Sequence, residues 1–240
     1  MTLGIVHARW HAGRMTPLHL PARLAALLPL LAFGALAACG PGMPADPAPV
    51  QSDHDRFFAA LASHCGEAFA GELASNDEVD ADFRGAGMVM HVRECSADAI
   101  RVPFHVQRAD GSWDRSRTWV FTRTADGLRL KHDHRHEDGE PDAVTQYGGD
   151  TADAGSARAQ SFPVDEESIA LFRREGLDAS VTNIWTVEVD PAEAEAPRFA
   201  YQLRRSVERG APEDRFFRVE FDLSQPVAAP PAPWGADTPG

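Results

Sequence analysis

The chain has 240 residues, of which 43% are hydrophobic and 25% are charged. This length and composition suit one globular domain with additional segments at its ends, and they exclude a wholly disordered or fibrous chain. The formal net charge is −13, and Lys and Arg form no cluster in the sequence that could neutralise a phosphate backbone. Nucleic acid is therefore not expected as a partner.

The first predicted element is a secretory leader. Arg23 precedes a run of 15 apolar residues, 24–38, which is shorter than the roughly 20 residues needed to cross a bilayer. A basic residue, a short apolar run and small residues at its end are typical of a cleaved signal peptide. We therefore predict that residues 1–38 are removed, and the distance from Met15 to the end of the run favours Met15 as the true translation start.

The leader ends in Leu36-Ala37-Ala38-Cys39-Gly40, which resembles the lipobox of bacterial lipoproteins. The resemblance implies that the Cys39 thiol receives a diacylglyceryl group, and that cleavage before Cys39 frees an amino terminus that is then acylated. Because Gly and not Asp follows the cysteine, it also implies sorting to the outer membrane of a Gram-negative bacterium, facing the periplasm. The expected partner is thus a membrane. The acyl chains would anchor the protein in it, and each buried methylene contributes about 0.8 kcal/mol to membrane binding.

Composition divides the remaining chain into three parts. Residues 39–51 hold the lipidated cysteine and four prolines, and they are predicted to be a tether. Residues 52–225 are predicted to form a β-rich globular domain. Residues 226–240 contain five prolines and form a predicted tail, in which Trp234 is expected to pack back on the domain.

Two short helices are predicted within the domain. The first covers residues 53–64, with Ser52 or Asp53 as its N-cap. The second covers residues 166–175, with Asp165 as its N-cap and an acidic first turn.

The rest of the domain is predicted to be β-structure, because apolar and polar residues alternate with a period of two. Tyr147-Gly148-Gly149-Asp150 is interpreted as a tight loop. Short strands at hairpin spacing favour an antiparallel β-barrel or a sandwich, and closure into a barrel would hide the sheet edges. The plan resembles lipocalin-like barrels by fold analogy alone. The predicted strands are 67–73, 88–95, 99–107, 117–123, 128–136, 144–147, 157–162, 182–189, 198–205 and 215–223.

Two cysteines remain after Cys39 is assigned to the lipid anchor. Cys65 and Cys95 would fold in a compartment that favours disulfides, so we expect them to pair and to join the first helix to the second strand. Two separate buried thiols are the alternative.

Three histidines alternate along the predicted strand 128–136. His132, His134 and His136 share one strand face with Leu128 and Leu130, so they continue a row of side chains that faces the core. Three alternate positions span too great a length of strand for all three imidazoles to bind one ion.

The histidine row has three interpretations. Two of its imidazoles could bind a divalent metal such as zinc, with His91 or His105 as the third ligand. They could instead be buried histidines that are hydrogen-bonded to neighbouring strands. A third interpretation is a metal-free pocket in which the imidazoles bind or act on a polar ligand.

Two further sets of residues are candidates for chemistry. One or both of the Arg115 and Arg117 guanidiniums could clamp a carboxylate or phosphate at a barrel mouth, or they could pair with nearby acids. His134 together with Asp133 or Asp114 could supply general acid and base catalysis for a hydrolase.

The sequence therefore favours a lipid-anchored envelope protein that is a binding or structural module, with a small-ligand or metal site at the histidine row. A periplasmic enzyme is one alternative. Another is an interaction or assembly protein with an exposed apolar patch and no small-molecule site. The general organisation resembles secreted lipoproteins of Gram-negative bacteria, a resemblance that implies no activity.

Overall fold

The structure is a computed structural model that describes residues 51–236. The predicted signal peptide, the lipidation of Cys39 and nearly all of the predicted tether lie outside the described residues, as do residues 237–240. In the part that is described, no helix has the length and apolar character needed to cross a membrane.

Both predicted helices are present and begin at their predicted caps. Helix α1 covers Asp53–Ala62, two residues shorter than predicted, and the Ser52 hydroxyl accepts a hydrogen bond from the backbone N–H of Asp55. Helix α2 covers Glu166–Arg174, and the Asp165 carboxylate caps it in the same way. These caps satisfy backbone N–H groups that have no partner within the helix.

The remaining structure is one antiparallel sheet with short 3₁₀ segments at Glu78–Phe83, Asp178–Thr182 and Val207–Arg209. Its strands are β1 (Ala68–Leu73), β2 (Met88–His91), β3 (Glu94–Cys95), β4 (Ala99–Gln107), β5 (Trp113–Arg123), β6 (Leu128–His134), β7 (Tyr147–Asp150), β8 (Ala159–Pro163), β9 (Ile184–Val189), β10 (Arg198–Arg205) and β11 (Arg215–Val227).

Ten of these strands form a nearly closed barrel, which confirms the predicted mainly β fold. The order of hydrogen-bonded neighbours is β7-β6-β5-β4-β2-β1-β11-β10-β9-β8, and β3 pairs with β4 beside this path. The two terminal strands, β7 and β8, meet through the start of α2. The N–H of Asp165 donates to the carbonyl of Gly148 (2.9 Å), and the Gly148 N–H donates to the Ser168 hydroxyl (2.8 Å).

Strand β7 corrects the interpretation of Tyr147-Gly148-Gly149-Asp150 as a loop, since these four residues pair with β6. Both glycines are required by close packing. A Cβ atom on Gly148 would lie 1.9 Å from the carbonyl oxygen of Leu130, and one on Gly149 would lie 1.7 Å from that of Pro163. Gly148 thus lets β6 lie close to β7, and Gly149 lets β8, at the other end of the sheet, approach β7.

One end of the barrel is covered by α1. Phe57 and Leu61 are fully buried in the core, and the Arg123 guanidinium at the β5–β6 turn pairs with Asp55. The α1 helix therefore plugs this end, and the opposite end, where β6 and β8 finish and β9 and β11 begin, forms the mouth.

A disulfide links the segment after α1 to the sheet, as expected. Cys65 and Cys95 are bonded across 30 residues of sequence. The strand predicted over 88–95 is interrupted, however. Val92 and Arg93 belong to neither β2 nor β3, and their N–H groups donate to the carbonyls of Glu67 and Arg101. Cys95 therefore lies in the short β3 and not in β2.

The C-terminal segment returns across the outside of the barrel. Strand β11 extends two residues into the predicted tail, and Pro226 pairs with Phe69. Farther along, the backbone N–H of Trp234 donates to the carbonyl of Arg115 (3.1 Å). The guanidiniums of Arg108 and Arg115 lie 5.4 and 6.0 Å from the Trp234 ring, so Trp234 packs on the domain as expected.

Candidate functional site: a cavity at the barrel mouth

The mouth of the barrel contains a cavity of about 300 Å³ that is lined mainly by aromatic side chains. This volume lies at the small end of the range for ligand pockets in proteins. Its aromatic lining comes from six strands, α2 and the 3₁₀ segment Glu78–Phe83, and it comprises Phe83, Phe104, Trp119, Tyr147, Phe172, Trp185, Tyr201 and Phe217.

The cavity walls present flat ring faces. Trp119 is stacked on Tyr201 with ring centroids 4.5 Å apart, and it also stacks with Phe104 at 5.0 Å. His132 is stacked on Tyr147 at 4.6 Å. These stacked side chains hold one another rigidly and bury large apolar areas.

His132 lies at the base of this arrangement and is 3% exposed. Its Nδ1–H donates to the carbonyl oxygen of Tyr147 (3.0 Å), and the Tyr201 hydroxyl donates to its Nε2 (2.7 Å). Because a carbonyl only accepts, Nδ1 must carry a proton, and in the neutral ring Nε2 is then the acceptor for the Tyr201 hydroxyl. Burial lowers the pKa of His132 to about 3, which is consistent with a neutral ring.

His134, two residues farther along β6, stands nearer the opening. Its Nε2 is hydrogen-bonded to the Tyr147 hydroxyl (3.1 Å). Burial, assisted by the Arg117 charge, lowers the pKa of His134 to about 4, and burial raises the pKa of Tyr147 to about 12. Both His–Tyr pairs are therefore neutral at physiological pH.

The charged groups at the cavity are paired with opposite charges. Arg117 donates to the Asp114 carboxylate (2.7 Å). Arg215 donates to both carboxylate oxygens of Asp80 and to Asp77. Since Asp80 is only 2% exposed, this ion pair also fixes the 3₁₀ segment Glu78–Phe83 beside the opening.

Asn183 also lines the cavity and is 4% exposed. Its side-chain oxygen is buried without a hydrogen-bond partner among the described residues. Leaving a buried amide group unpaired costs about 1 to 3 kcal/mol. The sequence did not identify this residue, because its only signal is a polar side chain near the start of the strand predicted over 182–189.

The structure brings together two of the five histidines proposed as ligands. His132 and His134 both face the cavity, as their alternation predicts. His136 does not continue the row, because β6 ends at His134. The chain turns there, with the N–H of Gly139 bonded to the His136 carbonyl, and the His136 side chain is exposed.

His91 and His105, proposed as third ligands, lie on the outer face of the barrel. His105 pairs with Val89 across β4 and β2, and its neighbours Phe104 and Val106 are the residues that pack on the core. The barrel wall therefore separates these two histidines from the cavity.

The described residues give little support for a metal site. No group of three or more His, Cys, Asp or Glu side chains within residues 51–236 is arranged to hold a metal ion. Both nitrogens of His132 are also already engaged, so a metal there would displace its protein partners.

Arg115 and Arg117 do not form a joint anion clamp. A register shift between β4 and β5 sets Asp114 opposite Val106 but Arg117 opposite Phe104, so an extra residue in β5 turns the two arginines to opposite faces. Arg117 lines the cavity, whereas Arg115 donates to the Ala232 carbonyl of the C-terminal segment (2.6 Å).

The arrangement proposed for acid and base catalysis is not formed either. The Asp133 carboxylate bonds to Arg135, Thr145 and Gln146, and Asp114 bonds to Arg117. Neither carboxylate is hydrogen-bonded to His134 in the described part of the chain. The hypothesis of an interaction or assembly protein expected no small-molecule pocket, whereas the structure contains a cavity.

No protein-family model matches this sequence, and no curated protein matches it. Among solved structures, the chain is similar to one described as a redesigned beta barrel, mFAP1, bound to DFHBI. The identity is 10%, and the match covers 68% of this chain and 98% of that chain with a TM-score of 0.26. At this TM-score the similarity supports no inference about a ligand of this chain.

Proposed function

We propose that this protein is a lipid-anchored envelope protein whose barrel binds a small amphipathic molecule in the cavity at its mouth. The observation that carries the proposal is the cavity itself, of about 300 Å³ and walled by stacked aromatic rings. A concave, largely apolar site with a few fixed polar groups is the usual form of a small-molecule site.

The state of the polar groups supports binding in preference to catalysis. His132 is neutral and bonded on both nitrogens, and His134 is bonded to Tyr147 rather than to a carboxylate. An imidazole that acts as a general base near neutral pH needs a pKa close to the working pH. Burial instead lowers the pKa of both rings, to about 3 and about 4.

The anchoring part of the proposal depends on the sequence around Cys39. The predicted signal peptide, the lipobox-like end and the Pro-rich tether before the domain support this part, because an acylated Cys39 would hold the barrel near a membrane surface. The test is to express the full chain with its leader in a Gram-negative host. We expect acylated protein in the outer-membrane fraction, and release of the Cys39→Ala variant from that fraction. Unacylated wild-type protein that keeps its leader would contradict the anchor.

The binding part is tested by filling the cavity. Val144 lines the cavity and is half-buried, so Val144→Phe places a ring inside the mouth. Val207→Phe is the matched control, since Val207 is 57% exposed and does not line this cavity.

A panel of two-ring aromatic compounds should be titrated by calorimetry against the full chain in detergent. We expect Val144→Phe to weaken binding at least tenfold and Val207→Phe to leave it unchanged. The same affinity in both variants, or no binding by the wild type, would contradict a site in the cavity.

A further inference from the structure

Arg117 carries hydrogen-bond donors that the protein leaves unused at the edge of the cavity. Its Nη1 donates to the Asp114 carboxylate (2.7 Å), whereas its Nε and Nη2 donate to no residue in the described part of the chain. The Arg117 side chain is 32% exposed, and these two nitrogens are not buried. A guanidinium has five N–H donors in a fixed fork, so the edge formed by Nε and Nη2 is accessible to a ligand.

Strand pairing places Arg117 on the inner face of the barrel. Its register partners are His134 on β6 and Phe104 on β4, and both of these residues line the cavity, as Arg117 itself does. The Arg117 Cζ also lies 6.0 Å from the ring centroid of Phe83, another residue of the lining. Burial and the Arg117 charge together lower the pKa of His134. The positive charge of Arg117 therefore acts within the cavity.

The charged side chains that line the cavity favour an anion with a single charge. They are Arg117, Arg215 and Asp80, and the partner carboxylates of Asp114 and Asp77 lie outside this lining. Arg215 is only 13% exposed and is already bonded to two carboxylates, so Arg117 is the cation that a ligand can reach. A second negative charge on the ligand would be repelled by the three nearby carboxylates without gaining another free cation.

We infer that the cavity binds a monocarboxylate with a planar apolar body, whose carboxylate accepts two hydrogen bonds from Nε and Nη2 of Arg117. This inference rests on the proposed function, because it names the ligand class for the same cavity. Two parallel N–H groups of a guanidinium match the two oxygens of a carboxylate. The stacked rings of Trp119 and Tyr201 line the same cavity and offer flat apolar walls to the body of the ligand.

The test compares three probes that share one ring system. The probes are 2-naphthoate, which is a monoanion, 2-naphthamide, which is its uncharged counterpart, and 2-naphthyl phosphate, which carries more than one negative charge at pH 7. Each is titrated by calorimetry at pH 7 against the full-length wild type in detergent. We expect naphthoate to bind at least about tenfold more tightly than naphthamide, because hydrogen bonds between two charged groups are the stronger kind. The phosphate should bind more weakly than naphthoate.

Variants of two arginines on the same strand then assign the preference. Arg117→Met removes the guanidinium and keeps an unbranched side chain, so it should weaken naphthoate at least about tenfold and leave naphthamide within about twofold. Arg115→Met is the matched control. It makes the same change of charge on the outer face, where Arg115 donates to the Ala232 carbonyl, and both probes should bind to it as they bind to the wild type.

Circular dichroism without ligand reports whether each variant folds. If Arg117→Met does not fold, Arg117→Lys replaces it, because lysine keeps the charge but lacks the planar fork. This variant should reduce the preference for naphthoate over naphthamide. The wild-type series tests the inference even if neither variant folds.

The outcomes separate this inference from the proposed function. If none of the three probes binds, both fail. The inference is overturned and the binding function stands if naphthamide or the phosphate binds as tightly as naphthoate. The same conclusion follows if folded Arg117→Met keeps the preference for naphthoate, or if Arg115→Met lowers it equally.

Discussion

The two faces of the barrel wall near the mouth hold histidines that are equally buried but differently bonded. Inside, His132 is 3% exposed and both ring nitrogens have partners. Outside, His105 is 1% exposed and neither ring nitrogen has a partner among the described residues. Burial lowers the pKa of both, to about 3 and about 4. A lowered pKa thus reports burial alone. The hydrogen bonds distinguish the two residues, since His132 is fixed by its partners and His105 is not.

The largest expected effect is a loss of folding stability at acid pH, to which buried histidines on both faces of the barrel wall contribute. The folded pKa values of His132, His134 and His105 are about 3, 4 and 4, whereas an unfolded chain has histidines near 6.5. As the pH falls below 6.5, the unfolded state takes up protons that the folded state refuses, so the free energy of unfolding decreases. His132 alone should contribute a loss of about 3 kcal/mol between pH 7 and pH 4.

Urea unfolding at pH 7, 5.5 and 4 measures this loss. His105→Phe removes one of the three groups, so its free energy of unfolding should decline less steeply over the same interval. A wild-type free energy of unfolding that stays constant from pH 7 to pH 4 would contradict the buried, neutral histidines.

The next largest effect is expected from a substitution of His132 on the inner face of the barrel wall. In His132→Phe a ring of similar size remains, but the Tyr201 hydroxyl and the Tyr147 carbonyl both lose a partner. Each buried group left unpaired costs about 1 to 3 kcal/mol, so we expect about 3 kcal/mol of destabilisation at pH 7 by urea unfolding. A change below about 1 kcal/mol would show that the His–Tyr network is dispensable.

Replacing His105 on the outer face with Phe should instead increase the free energy of unfolding. His105→Phe removes two ring nitrogens that have no partner among residues 51–236 and leaves an apolar ring in a buried position. We expect stabilisation of about 1 to 2 kcal/mol at pH 7. Equal destabilisation by His105→Phe and His132→Phe would remove the distinction between the two faces.

Much of the fold follows from local patterns in the sequence. Alternation predicted β4 over 99–107 and β10 over 198–205 with the bounds that the structure has. The helices begin where Ser52 and Asp165 supply caps. These features are local, because a strand face or a capped turn is set by residues close together in the chain.

The features that were missed depend on contacts between distant segments. Gly148 and Gly149 belong to a strand because Leu130 and Pro163 approach them from other parts of the chain. Residues two positions apart should share a face, yet one extra residue in β5 sends Arg115 outward and Arg117 inward. A bulge of this kind leaves no pattern in a single sequence, so the sequence could not show that Arg117 faces the cavity and Arg115 does not.

The candidate site was predictable only in part for the same reason. Alternation placed His132 and His134 on the core face, but it could not exclude His91 and His105, on other strands, as candidates for a third ligand. Which face β4 turns towards the interior depends on its pairing with β2 and β5. The buried Asn183 oxygen lacks a partner among the described residues because of how distant segments pack around it, and no pattern in the sequence records a missing partner.

The smallest expected effect concerns the C-terminal segment on the outer face. The Arg115 charge helps to lower the pKa of His105, and Trp234 lies against that guanidinium at 6.0 Å. Trp234→Ala removes the ring, which should cost about 0.5 to 1 kcal/mol of stability, and it frees Arg115 to move towards solvent. Titration followed by NMR should then show a small rise in the pKa of His105, because a repelling charge has withdrawn, and no change for His132 on the other side of the wall. Equal shifts in both histidines would mean that the wall does not separate the two environments.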